Sequence, residues 1–357
     1  MFTHLKKALC LAGCFAGMQS AYAATIEVAA GSDLQQAIAR ANAGDTLRLA
    51  AGQYRGQIIV DKPLTIEGPE GGVAKIEGTR TGRTIEVSAP DVVLRRLTIT
   101  RSGLSLPAMD AGVFLAQTAL RAQVANNQIL ENSVGVYIHG AADSRVSGNR
   151  IVGDAKLRVN ERGNGVTVWN APGAQVTDTN DSEVSGNVSD GNNIGYAIMF
   201  SDRLKVADNI AINSRDQGLM LNYANHSSIT GNVIDKAEKC VFIYNANHNT
   251  ISGNHFENCE MGIHFTAAAE GNRIFNNAFI NSQSQVKYVG TRYIEWSDGQ
   301  RGNYWSDNSA FDLNGDGIAD TAYRPNGIID QIVWRAPVAR LLLNSPAVSI
   351  VKWAQSQ

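Results

Sequence analysis

Apolar and polar residues alternate along most of this chain in runs of four or five, too short for amphipathic helices, and the runs recur at a near-constant interval. A small polar pair ending in Asn precedes an apolar residue at Asn127, Asn149, Asn187, Asn209, Asn232, Asn254 and Asn277, with spacings of 22, 38, 22, 23, 22 and 23. A second run is led by Gly at Gly112, Gly135, Gly165, Gly195, Gly218 and Gly262, with Cys240 in the Gly position of one repeat. The long intervals coincide at residues 153–184, so one repeat there carries an extra loop.

A repeat of 22–23 residues holding two or three short strands fits neither a propeller blade nor a helical repeat. It predicts an all-β chain, a right-handed parallel β-helix of about ten coils stacked by strand hydrogen bonds about 4.8 Å apart. Asn at a fixed coil position predicts a stacked amide ladder. Three weaker coils precede the clear ones, in IIVDKPLTIEG, AKIEGTRTGRTIEVSA and VVLRRLTIT. An open-ended stack needs caps. Residues 32–40 predict an amphipathic helix with Ser32 as its N-cap, and apolar residues 337–355 are expected to fold back over the last coil or to dock on a partner. The expected division is residues 1–23 leader, 24–56 N-terminal cap, 57–290 β-helix, and 291–357 a calcium-loop-like segment and cap.

The leader follows from Lys6 and Lys7, an apolar stretch over residues 8–18, and Ala21-Tyr22-Ala23 as a cleavage signal before Ala24. Lipidation at Cys14 of Leu11-Ala12-Gly13-Cys14 is the less favoured alternative, because it leaves too short an apolar run. The leader predicts export, and the family resemblance given below makes the expected location periplasmic. A net charge of −2 argues against a nucleic-acid partner. Cys240 and Cys259 remain after cleavage; the repeat sets them three positions out of register, so two free, partly buried thiols are expected rather than a bridge.

Laying the coils in register sorts inward from outward residues. In the Gly-led strand the first and third residues after Gly are apolar throughout and point inward. The outward second column runs Phe114, Tyr137, Thr167, Ala197, Met220, Phe242, His264, and the fourth Ala116, His139, Trp169, Met199, Asn222, Tyr244, Thr266. Neither column holds an acid or a base of the kind polysaccharide chemistry needs. Both offer Met, His and aromatic side chains, ligands suited to copper. Met199 and Met220, on neighbouring coils, are copper candidates with His264. His226 and His248 should stack on adjacent coils and form another metal candidate, against the alternative of solvated turn histidines. Asp235 and Glu257 also align, with His255 near, and are the best carboxylate pair available to an enzyme. Asp312, Asn314, Asp316, Ile318 and Asp320 match the opening of a calcium loop, although Tyr323 stands where a bidentate Glu is usual.

The segment GNYWSD, residues 302–307, followed by DLNGDGIADTAYRP, resembles the periplasmic NosD family. The opening SDLQQAIARANAGDTLRLAAGQY is similar to that of many carbohydrate-binding and sugar-hydrolase β-helices, NosD included. The resemblance implies a maturation factor for nitrous oxide reductase. Such a factor works with an ABC-type ATPase and its membrane subunit, takes copper from a lipoprotein chaperone, and serves assembly of a copper–sulfur cluster. It carries over no catalytic motif, and the Met and His columns are read from this chain alone. The competing expectations are a polysaccharide lyase or epimerase using Asp235 and Glu257, and a pure scaffold or adhesin.

Overall fold

The computed structural model describes residues 23–154, 157, 163–169, 181–266, 269–289, 294–308, 310–323, 328–329, 332, 336–342 and 345–356. The expected leader and most of the extra loop within residues 153–184 lie outside these. Strands of mostly three to six residues stack into three parallel sheets of eleven, eleven and ten strands, giving a right-handed β-helix of about eleven turns. In chain order, each coil visits the first sheet (Thr25–Val28 to Arg273–Phe275), the second (Gly52–Arg55 to Tyr304–Trp305) and the third (Ile58–Val60 to Ser284–Val289). The stack starts before residue 57, since Thr25–Val28 already pairs with Thr46–Leu49.

The interior is built from aligned aliphatic columns. In the first sheet Leu47, Ile66, Leu94, Val124, Val146, Val184, Val206, Ile229, Ile251 and Ile274 stack in unbroken register, all buried. Where the second sheet supplies only Ser189 and Ala211, Tyr196 of the third fills the space. Its hydroxyl donates to the carbonyl of Asn187 or Ile210, at 2.8 and 3.0 Å.

The corner between the first two sheets turns on one residue with left-handed backbone, such as Gly148, Gly186, Asp208, Gly231 or Gly253, followed by the coil Asn. That explains the small polar pair in the sequence. The Asn side chains form the expected ladder from Asn127 to Asn277, and Asn303 extends it. Coil Asn149 bonds directly to Asn187, so the 38-residue interval is one coil with an insertion. A second buried series, absent from the sequence pattern, lines another corner: Ser182 accepts from the Ser144 N–H, and Ser227, Asn249 and Asn272 follow one another.

Three expectations need correction. The N-terminal helix, Leu34–Arg40, is capped by Asp33 rather than Ser32; Asp33 Oδ1 accepts from the Gln36 N–H, because Ser32 lies one residue too early and its N–H is spent on Ala29. Helix residues Leu34 and Ile38 enter the core, and the Gln35 amide pairs with both backbone groups of Ile59, closing the first strand edge of the third sheet. Cys240 and Cys259 are bridged, their Cα atoms 5.7 Å apart. The corner before the third sheet takes up the three-residue offset that strand register alone makes prohibitive. Among the described residues of the C-terminal segment, Val338, Leu341, Leu342 and Ile350 are exposed rather than packed over the last coil. An aromatic series closes that end instead, with Phe256, Phe279, Trp305 and Tyr323 at successive centroid separations of 5.2, 4.5 and 4.6 Å.

Candidate functional site

The third sheet carries both outward columns in the register expected, from Phe114 to His264 and from His139 to Thr266. Lys287 continues the first of these. The face divides into two halves. In the first, Phe114 and Tyr137 are buried with Ala111 and Val134 in a satellite apolar cluster against Met109, Ala116 and Trp169. The Arg83 guanidinium lies 3.5 Å over the Phe114 ring. His139 sits within the cluster, 5.3 Å from Trp169 ring to ring, and burial lowers its pKa. Burial also pushes the Tyr137 hydroxyl to about 12. This half is packed structure.

The second half is partly open. Met199, Met220, Asn222, Phe242, Tyr244, His264 and Thr266 are half-buried. Met220 stands opposite Ala197 and Met199 opposite Asn222, so the two thioethers are diagonal neighbours with Cα atoms about 8 Å apart by strand geometry, within reach of one soft ion. His264 lies two coils from Met220, with Phe242 between them and ring centroids of Phe242 and His264 5.5 Å apart. Both His264 ring nitrogens are shielded and unpartnered, as are Asn222 Oδ1 and Thr266 Oγ1. Burial, with Lys287 and Lys239 near, pushes the His264 pKa down to about 4. At neutral pH it is an uncharged imidazole with an uncommitted lone pair.

Beside this half, Phe200 and Tyr223 stack at 4.9 Å with left-handed backbone, φ 49° and 52°. Bulky residues rarely hold that conformation. They lie on Ile194–Asp202 and Gln217–Asn225, strands of nine residues that run past the usual corner.

His226 and His248 do stack, 5.2 Å apart and 12° from parallel, on an exposed corner. His226 Nδ1 is 2.8 Å from Asp202 Oδ1. In parallel rings the lone pairs point outward in their own planes, so one ion between them requires a ring to turn. The column ends at Gly271, where a Cβ would meet the His248 ring at 2.3 Å. The five copper candidates thus occupy three places: the thioether pair, His264, and the corner histidines.

Asp235 and Glu257 align across coils as expected, with Asp235 accepting from Asn258 Nδ2 at 2.8 Å and Glu257 Oε2 lying 2.9 Å from His255 Nε2. The calcium expectation is not supported. Asp312 spends its oxygens on the N–H groups of Gly315, Asp316 and Gly317, Asp316 accepts from Ile318, and Asp320 from Leu313. The loop is held by its own backbone, and among the described residues no three His, Cys, Asp or Glu gather to hold a metal ion.

Asn222 and Thr266 appear in the sequence columns but carry no signal that marks them, because their interest lies in missing partners. The strained Phe200 and Tyr223 were likewise not singled out; the long strands that carry them leave no mark in the repeat spacing.

Residues 154–310 match the family described as periplasmic copper-binding protein (NosD). The chain is 37% identical to the probable ABC transporter binding protein NosD of Stutzerimonas stutzeri, over 86% of this chain and 82% of that one. It is 32% identical to the protein of the same name from Pseudomonas aeruginosa, over 88% and 85%. Among solved structures, pectate lyase Pel9A superposes with a TM-score of 0.55 at 14% identity, over 83% of this chain and 85% of that one. The alginate lyase AlyF-OU02 gives 0.52 at 16%, over 78% and 63%. At such identities these two share the β-helix fold alone. The two relatives cover most of both chains at more than 30% identity, and the chain belongs to the NosD family.

Proposed function

We propose that this chain is a non-enzymatic periplasmic copper carrier of an ABC-type system. In this reading it accepts copper from a lipoprotein chaperone and passes it on for assembly of the copper–sulfur cluster of nitrous oxide reductase, together with the ABC ATPase and its membrane subunit. The family description and the names of the relatives support the copper and ABC-system parts. The observation that carries the reading to this chain's own residues is the half-open end of the third sheet. There Met199 and Met220 supply two thioethers on one face, and the nearby His264 is kept unprotonated with both nitrogens free. Met199 and Met220 are the primary ligands, His264 a neighbouring acceptor position, and His226 with His248 a separate exposed one. The leader is removed after Ala23; in support, Ala24 is the first of the described residues tied into the coils, its nitrogen donating to Asp45 Oδ1 at 2.8 Å. Cleavage there makes that nitrogen an ammonium facing a carboxylate.

Anaerobic Cu(I) titration against a competing chelator tests the reading. Met199→Leu with Met220→Leu should weaken binding at least about tenfold, the loss of roughly 1.4 kcal/mol; unchanged affinity removes that site, and no binding by the unaltered chain removes the copper role. The Asp235–Glu257 register pair beside His255 favours a second reading, a polysaccharide lyase or epimerase. Turnover of uronate polymers that disappears in Asp235→Asn would establish it.

A further inference from the structure

The two halves of the third-sheet face meet at Trp169. His139 precedes it in register on one coil, and Met199 follows it on the next. Adjacent rungs lie about 4.8 Å apart, so the indole and the Met199 thioether are immediate neighbours along the stack. The aromatic contacts of Trp169 fall on the opposite side. Its ring centroid is 6.4 Å from Tyr137 at 77° and 5.3 Å from His139 at 44°, both on the preceding coil. That packing holds the indole in place from the cluster side.

On the Met199 rung the other outward column holds Ala197, between Thr167 and Met220. Every other outward position of the two columns from Trp169 to Tyr244 carries a longer side chain. Ala197 is nonetheless fully buried, so its neighbours close over it. Met199 stands beside it, Met220 on the next rung, and Trp169 and Asn222 on the two diagonals. Asn222 Oδ1 is shielded from solvent with no donor, and a cation over Ala197 would give that acceptor a partner.

The donors around Ala197 are therefore two thioethers, an indole face and an amide oxygen, all without charge. Thioethers suit soft ions, and Trp is the strongest aromatic acceptor for a cation. A ring on this same face already takes one, since the Arg83 guanidinium lies 3.5 Å over Phe114. Neither column holds a carboxylate to offset the second charge of a divalent ion leaving water. We propose that Trp169 completes the thioether site, its indole covering a soft monovalent cation held by Met199 and Met220 above Ala197, and that the site selects Cu(I) over divalent ions. The proposal deepens the carrier reading and rests on it.

The chain from Ala24 onward is titrated anaerobically with Cu(I), with Ag(I) as a second soft monovalent probe and with Zn(II) as the divalent one. Trp emission and competition against a chelator are followed together. Cu(I) and Ag(I) should quench the emission, and Zn(II) should not. In Trp169→Phe the quench should vanish although Trp296, Trp305, Trp334 and Trp353 remain. Affinity should fall about threefold in Trp169→Phe and about tenfold in Trp169→Leu. The Phe variant keeps a ring against Tyr137 and His139, so it separates loss of the indole from loss of packing. Binding that depends on Met199 and Met220 but leaves parent emission unchanged overturns the indole contact and leaves the carrier reading standing. A quench that persists in Trp169→Phe, or equal affinity in all three chains, does the same. Zn(II) binding as tight as Cu(I) overturns the selectivity, and no binding of either monovalent ion removes the carrier reading and this proposal with it.

Discussion

Removing one rung from the middle of the Asn ladder tests what holds the coils in register. Asn209 is fully buried. Its Oδ1 accepts from the Asn187 backbone N–H at 3.1 Å and from Asn187 Nδ2 at 3.0 Å. Its Nδ2 donates to the Val184 carbonyl at 2.8 Å and to Asn232 Oδ1 at 3.0 Å. In Asn209→Ala, Asn187 Nδ2 keeps the Val146 carbonyl, and Asn232 Oδ1 keeps the residue-209 N–H. The Asn187 N–H loses its acceptor in the buried corner, whereas the Val184 carbonyl loses one donor and keeps its place in the parallel ladder with Lys205–Ala207. A buried group left unsatisfied costs about 1–3 kcal/mol and the other lost bonds add about 1, so the variant should lose about 2–4 kcal/mol. Asn303, at the half-buried end of the ladder, should cost less on the same change, because water replaces its partners. Urea unfolding followed by circular dichroism gives the global loss. Amide exchange at Asn187 gives the local one, which matters because a solenoid need not melt as one unit. A loss below about 1 kcal/mol with unchanged exchange at Asn187 would refute the view that the ladder, and not core packing alone, fixes the register.

Gly195→Ala should destabilise by about 1–3 kcal/mol or more in urea, because its Cβ would sit 2.5 Å from the Gly218 carbonyl oxygen and 2.7 Å from Ala211 Cβ; a neutral result would mean the Gly-led corner is not sterically required. Cys240→Ala with Cys259→Ala should lose about 3 kcal/mol, the chain-entropy value for a loop of this order, and reduction of the unaltered chain should lower its melting temperature likewise; no change on reduction would show that the bridge does not contribute. For His264, burial lowers the folded pKa from 6.5 to about 4, so the unfolded chain binds the proton more readily. The His264 contribution is therefore complete above about pH 6.5 and is lost as pH falls toward 4. His264→Leu should flatten the stability–pH curve in that window, and parallel curves for variant and parent would show that the ring is not held neutral.

The fold was legible because its corners are chemically narrow. A buried turn that passes amides along a stack accepts Asn and little else, so Asn127 to Asn277 repeat one letter and print the period. The neighbouring corner does the same work with Ser144, Ser182, Ser227, Asn249 and Asn272. Hydroxyl and amide are interchangeable there, and no period is visible. Strand register is a count along straight segments, which is why every outward column was placed correctly and why Cys240 and Cys259 were not. Their approach depends on how tightly a corner turns, and corner geometry is not a count.

The same distinction governs the site. Alternation reports which face of a sheet a residue occupies, and nothing about what lies over that face. Phe114 and Tyr137 share a column with Met220 and His264, yet the first two are sealed beneath Arg83 and Trp169 and the last two are not. Cover also changes chemistry. Shielded from water and flanked by Lys239 and Lys287, His264 becomes a neutral donor at any pH near 7, a property no reading of residue type contains. Met199 and Met220 need no such tuning, since a thioether carries no proton to lose. A soft-metal site built on them would keep its affinity as pH falls from 7 toward 5. The pH dependence of Cu(I) affinity therefore tests the thioether pair without any substitution: a flat profile between pH 7 and 5 is expected of Met199 and Met220, and a falling one would refute their assignment as the ligands.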